Sequence, residues 1–246
     1  MNEYLSPLWI SLKTVLVTTA ITFVLGIAAA RWMSRYKGKF KPVIDGAFIL
    51  PLVLPPTVVG FGLLLSMGKH GWIGKFLALF HTSVVFSWPA TVIAAAVMSF
   101  PLMYMTTRGA FEQVDINIED AARTLGAGEW KVLYSVTLPM AWPGVLAGTI
   151  LSFARSLGEF GATLMLAGNI PGKTTTIPVA IYFAIVDGNM KEADILIIIV
   201  LCIALASLAL LAYLKKPKPR DRGLIAANTV SSDILSAGRK GDTRPG

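Results

Sequence analysis

Little in this chain can carry covalent chemistry. Of its 246 residues one is cysteine and two are histidine. Cys202 sits alone inside an apolar run, so it closes no disulfide within the chain and has no partner at metal-ligand spacing. His70 and His81 lack the i, i+4 pairing of a helical metal site and read as solvated or interfacial side chains. No metal and no catalytic residue is therefore expected. Charge is scarce too, at 15% against 54% hydrophobic residues. The apolar runs hold no constellation of acids, His or Cys and no filter-like loop, which disfavours a membrane enzyme or a motor-independent channel. The excess of Lys and Arg over Asp and Glu, 22 to 14, gives a formal charge of +8, yet these cations cluster at the ends of apolar runs. That placement marks membrane topology, and no nucleic-acid partner is expected. The opening "MNEYLSPLW" has no basic region ahead of the first apolar run. Although Ala28-Ala29-Ala30 resembles a cleavage site, the cations follow the run, which favours a retained span.

What the chain has is length of apolar sequence. About 20 residues rising about 1.5 Å each cross a hydrocarbon core of about 30 Å. Five runs qualify: Leu8 to Ala30, Val43 to Met67, Val84 to Thr106, Met140 to Leu166 and Ala193 to Leu214. This predicts an all-α membrane bundle of about five spans over residues 1–216, with lipid around it. Arg31, Arg35, Lys37, Lys39 and Lys41 follow the first run; Lys215, Lys216, Lys218, Arg220 and Arg222 follow the fifth. Both clusters should face the cytoplasm, which puts the N-terminus outside, the C-terminus inside and the 107–139 segment on the cytoplasmic side. The run Ile177 to Val186 is too short to span and reads as re-entrant or as a buried outer segment. Residues 217–246 turn polar and basic without apolar periodicity and read as a disordered cytoplasmic tail.

Two features stand out against this background. The second run, "LPLVLPPTVVGFG", is dense in Pro51, Pro55, Pro56, Gly60 and Gly62, whose freed backbone groups call for protein or water neighbours. It is expected inside the bundle, with a pathway-lining role for Pro55 and Pro56 set against the ordinary frequency of Pro and Gly in membrane helices. The 107–139 segment is polar between apolar runs. Acids Asp115, Glu119 and Asp120 come early and Gly126 comes last, the arrangement of a short helix with a left-handed stop. Val114, Ile118, Ala121, Ala122 and Leu125 form one stripe, and a second helix can follow from Glu129 to Val136, ending at Leu138-Pro139. Physics alone leaves two readings open: a loop folded on the bundle, or a docking site for a soluble partner.

A resemblance changes the balance between them. Asp120-Ala121-Ala122, Gly126, and then Val136-Thr137-Leu138-Pro139 resembles the Glu-Ala-Ala, Gly, Ile-any-Leu-Pro signature of importer-type ABC transporter permeases, with Asp for Glu and Val for Ile. The resemblance implies a type I importer permease fold. It also implies a coupling helix, in which Glu119, Asp120, Ala121, Ala122, Arg123, Leu125, Gly126, Leu138 and Pro139 engage a cytoplasmic ATPase. The tempting "GNIPGKTTT" is one residue short of a phosphate loop and lies on the predicted outer side. The chain is thus expected to bind no cofactor; ATP and Mg belong to the partner ATPase.

"LPLVLPPTVVGFGLLLSMGKHGWIG" and "SFARSLGEFGATLMLAGNIPGKTTTIPVAIY" are similar to the molybdate permease subunits of this family. The Arg-Ser-Leu-Gly-Glu-Phe-Gly-Ala part is shared, with changes, by sulfate permeases. The resemblance implies a homodimer in a bacterial or archaeal plasma membrane, an ATPase dimer, and an extracytoplasmic binding protein that delivers the oxyanion and largely sets specificity. Sulfate or tungstate is the alternative cargo. Arg155 and Glu159 stand four apart in the fourth run, flanked by Gly158 and Gly161. Each charge alone would cost about 2.5–3.5 kcal/mol at the bilayer centre, so they are expected to pair on one helix face or to line an aqueous path.

Overall fold

The computed structural model describes residues 2–80 and 82–214, with no strand among the described residues. His81, Lys215, Lys216 and the 217–246 tail lie outside them. Helix α1 (Asn2–Arg35) is 34 residues long, about 51 Å at 1.5 Å per residue, and so carries Arg31 and Arg35 in its own last turns. The expected end at Ala30 was too early, because a cation at a helix C-terminus is favourable and does not stop the helix.

The second run does not form one continuous helix. Helices α2 (Lys41–Val53) and α3 (Pro56–Met67) meet at 112°. Each proline pushes its predecessor out of the α region, and here two successive residues, Leu54 at ψ 146° and Pro55 at ψ 136°, are extended. The pair is also not inside the protomer: α2 buries no residue and α3 buries only Gly60. There a Cβ would stand 2.7 Å from Ala162 Cα, so only glycine lets α3 approach this closely. Asp45 ties α2 to the bundle by pairing with Arg108 and accepting from the Tyr104 hydroxyl at 2.7 Å.

After the short α4 (Trp72–Ala78), α5 (Trp88–Glu112) is the central helix, packed against α1, α2 and two later helices, Leu138–Leu157 and Gly161–Ala167. Then come α6 (Ile116–Thr124) and α7 (Glu129–Val132). The chain does not stop at Leu138-Pro139 as expected. A π turn over Leu133–Thr137 leads without a break into α8 (Leu138–Leu157), with Leu138 N bonding Leu133 O. The wider turn suits a proline at 139, which has no N–H to give and whose ring would crowd the preceding turn.

Helix α8 ends at Leu157, earlier than the expected Leu166; residues 161–167 belong to a separate short helix, α9 (Gly161–Ala167). Helices α10 (Ile177–Val186) and α11 (Met190–Leu214) complete the described chain. Among the described residues, four helices are long and apolar enough to cross a membrane, Leu5–Arg35, Trp88–Glu112, Glu129–Leu157 and Met190–Tyr213, and the bent α2–α3 pair makes a fifth if it is counted as one span.

The core of this bundle is polar at its seam. Ser11, Thr14, Thr18 and Thr22 recur at helical spacing on α1 and are all buried, facing Thr91 and Ser99 of α5 and Ser152 of α8. Thr14 bonds Thr91 at 3.1 Å, Thr22 bonds Ser152 at 3.2 Å, and Ser152 donates to Ser99 O at 3.2 Å. Such bonds are worth about 0.6 kcal/mol each in a membrane, so the seam fixes which helices meet more than it holds them together.

Candidate functional site

The polar segment is built around one inward carboxylate. Asp115 caps α6 by accepting from Asn117 N at 2.9 Å, and Gly126 takes φ +83° after its end, as acid-first and glycine-last predicted. On this helix Glu119 points into the protein and is 6% exposed. Its Oε1 accepts from Arg31 at 3.1 Å and from the Thr137 hydroxyl; its Oε2 accepts from Arg35 at 3.2 Å and Arg123 at 2.8 Å. Burial alone would raise the carboxyl's pKa. The bonds from Thr137, Arg31 and Arg123, with the Arg31 charge, outweigh it and hold Glu119 at about 2. Glu129 extends the cluster, pairing with Arg35 and, at 2.9 Å, with Arg123. The end of α1, the middle of α6 and the start of the α7–α8 rod are thereby locked into one joint.

Around that joint the apolar stripe faces outward. Ile116, Ile118, Ala121 and Leu125 are exposed, Leu125 at 88%, while Val114 and Ala122 are half-buried. Trp130 and Tyr134 stack at 6.3 Å and are exposed beside them. Asp120 is exposed and paired with Arg123; Leu138 is half-buried and Pro139 exposed. Of the residues assigned to coupling, Glu119 is thus the exception, tying the segment down from within. Arg31, Arg35, Glu129 and Thr137 complete the joint. The signal for them was Arg31 and Arg35 four apart on one helix face, with Glu119 and Arg123 four apart on another.

The second assigned group meets at the α8–α9 break. Arg155 Nη1 lies 2.8 Å from Glu159 Oε2, so the expected pair forms. It does not form on one helix face: α8 ends at Leu157, Gly158 caps it at φ −90°, and Glu159 follows the helix. A charged side chain that also serves the backbone explains the difference, since Glu159 Oε1 accepts from Ala162 N at 2.9 Å and so starts α9. Glu159 is 3% exposed. Gly161 packs on Pro56, where a Cβ would lie 3.0 Å from Pro56 Cβ; Pro55, Pro56 and Gly158 are exposed in the protomer. The Gly168 to Thr176 stretch folds as a turn in which Ile170 N donates to Thr174 Oγ1 at 3.0 Å and the three threonines are buried.

A polar two-helix segment on a broken-helix bundle defines a class. The chain belongs to the family of binding-protein-dependent transport system inner membrane components, whose model matches residues 22–217. It is a multi-pass inner-membrane permease. Its fold is that of type I ABC importer permeases: a bacterial alginate ABC transporter superposes with TM-score 0.70 at 14% identity, over 88% of this chain and 81% of that one. The MetNI methionine ABC transporter does so at 0.67 and 15%, over 88% and 98%. Nearer in sequence is the molybdenum transport system permease protein ModB of Escherichia coli (strain K12), 47% identical over 84% of this chain and 91% of that one. The putative molybdenum transport system permease protein YvgM of Bacillus subtilis (strain 168) is 44% identical over 88% and 95%.

Proposed function

We propose that this chain is the membrane-spanning subunit of an ATP-driven importer whose cargo is molybdate. It works as a homodimer, served by a cytoplasmic ATPase dimer that binds ATP and Mg and by an extracytoplasmic binding protein. The observation that carries the mechanical part is the coupling segment: an apolar, exposed outer face on a helix whose inner face is gripped by three arginines. A rigid mount with an uncovered face suits a motor made of other chains. The cargo rests on the 44–47% identity to molybdenum permeases along nearly the whole chain. In this reading the N-terminus and Gly172 face outside, Gly128 and the tail face the cytoplasm, and the exposed α2–α3 elbow with Pro55 and Pro56 meets the second copy beside the pathway.

One complementation experiment tests it. A strain lacking this chain should lose molybdenum accumulation at trace external molybdate and keep sulfur assimilation. The wild-type gene restores uptake. Gly126→Val should not, because a β-branched residue at φ +83° costs about 1–2 kcal/mol and twists the coupling segment. Gly126→Asn, which tolerates that backbone, should restore most of it. Sulfur auxotrophy with normal molybdenum would move the cargo to sulfate, and full uptake with Gly126→Val would remove the coupling role. Single cysteines in a Cys202→Ala background report the topology: an impermeant thiol reagent should label position 172 and spare position 128 in intact cells.

A further inference from the structure

Beside the α8–α9 break lies a cavity of about 10 Å³, lined by Ser11, Thr14, Ser156, Glu159, Thr163 and Thr176 among others. Five hydroxyls and one carboxylate share the lining with Val15, Ala95 and Leu157, an unusual concentration of polar groups for the inside of a membrane bundle. All six of these polar residues are buried, Glu159 at 3% and Thr176 at 5% exposure.

Two atoms at this cavity have hydrogen-bonding capacity that no described group fills: Thr176 Oγ1 and Glu159 Oε2. Arg155 stands 2.8 Å from that carboxylate oxygen, close enough for charge attraction but not aligned as a hydrogen bond. Ser11 Oγ accepts from Ile177 N at 2.7 Å and keeps its own proton to give. A buried hydroxyl or carboxylate oxygen without a partner is costly, and a polar cavity of about 10–15 Å³ is the smallest that takes a water.

We propose that the cavity holds one ordered water that joins Glu159, Thr176 and Ser11. The water donates to Glu159 Oε2 and exchanges bonds with the two hydroxyls, three partners in all, the usual number for a buried water. The elements it joins are α1 through Ser11, the helix break through Glu159, and the entry to α10 through Thr176. With Ala162 N on Oε1 and the water on Oε2, the carboxylate fixes the angle at which the chain leaves α8. Cavity size excludes the oxyanion itself, and Arg155 beside the carboxylate opposes a metal cation.

The test turns on a sign. Val has the shape of Thr without the hydroxyl. If the cavity is dry, Thr176→Val removes an unpartnered buried hydroxyl and leaves stability equal or higher. If the water is there, the same change takes away one of its partners and lowers stability. The full-length chain purified from membranes is heated at a fixed scan rate. Thr176→Val should unfold about 2–4 °C below wild type, and Thr176→Ser, which keeps the hydroxyl, should recover at least half of that drop. A midpoint for Thr176→Val at or above wild type overturns the proposal. A structure of the wild-type protein that resolves other buried waters gives an independent reading: density within hydrogen-bond reach of Glu159 and Thr176 supports it, and a closed or empty cavity refutes it.

Discussion

Glu119 and Glu159 are the same residue type, each almost fully buried and each paired with arginine, yet they do opposite things. Glu119 takes four donors, from Arg31, Arg35, Arg123 and Thr137, which come from three separate helical segments. Glu159 takes one backbone N–H and one imperfectly aligned guanidinium, both from residues within four positions in the chain. A carboxylate saturated by distant partners is a fixed joint, because moving it breaks several long-range bonds at once. One satisfied locally is a corner in the chain, held by its own neighbours. The permease thus has a joint cross-linked by distant residues at its polar segment and a locally held corner where α8 gives way to α9.

The largest effect is expected where the most bonds fail. Glu119→Gln keeps the shape but leaves Arg31, Arg35 and Arg123 facing one another with less negative charge between them. Removing one partner of a buried pair costs about 3–5 kcal/mol. The partial exposure of Arg35 and Arg123, at 33% and 28%, puts this case near the bottom of that range. Molybdate uptake in cells at matched membrane levels should fall more than tenfold. Uptake within twofold of wild type would mean that the joint carries no force, and the contrast with Glu159 would lose one side.

The comparison sharpens at Glu159 itself. If its partner were Arg155 alone, exchanging the two charges would restore what either single change loses. Arginine at 159 has no acceptor for Ala162 N, so the exchange leaves α9 without its start. Arg155→Glu with Glu159→Arg should therefore stay as impaired as either single variant in the same uptake assay. Glu159→Gln retains an oxygen for Ala162 N and should lose only about three- to fivefold, in line with about 1 kcal/mol for one weakened interaction. Recovery in the exchanged protein would show that only the charge pair matters.

What the sequence made legible follows the range of the forces involved. The short helix of the polar segment was readable almost to the residue, because Asp115 and Gly126 act on backbone within one turn of themselves. The apolar lengths revealed the membrane class for the same reason. From sequence Glu119 reads as one of the residues that meet the partner, because nothing local says which way its side chain turns; its three arginines come from 4 to 88 positions away. The break at Gly158 was hidden by the apolar residues that follow it, which look like more of the same span. The elbow at Pro55-Pro56 was seen as proline density but not as a corner, although two prolines in succession force two extended residues. Likewise the hydroxyl stripe from Ser11 to Thr22 has plain helical spacing, and only the packing of α1 on α5 gives it meaning.

The smallest effect expected is one of pH, and it isolates Glu119 from every other acid in the chain. Its folded pKa of about 2 lies below the ordinary 4.5, so it binds fewer protons folded than unfolded at intermediate pH. Its stabilising contribution is then complete above about pH 4.5 and is lost progressively as pH falls toward 2. Glutamine at this position does not titrate. The gap between the heat-inactivation midpoints of wild type and Glu119→Gln should therefore stay constant from pH 5.5 to 8 and narrow below about pH 4.5. Other acids shift both proteins together and leave the gap unchanged. A gap that stays flat below pH 4.5 would mean that Glu119 carries an ordinary pKa, and one that widens as pH falls from 7 to 5.5 would mean a raised pKa, with burial, which favours the neutral carboxyl, winning over the three arginines.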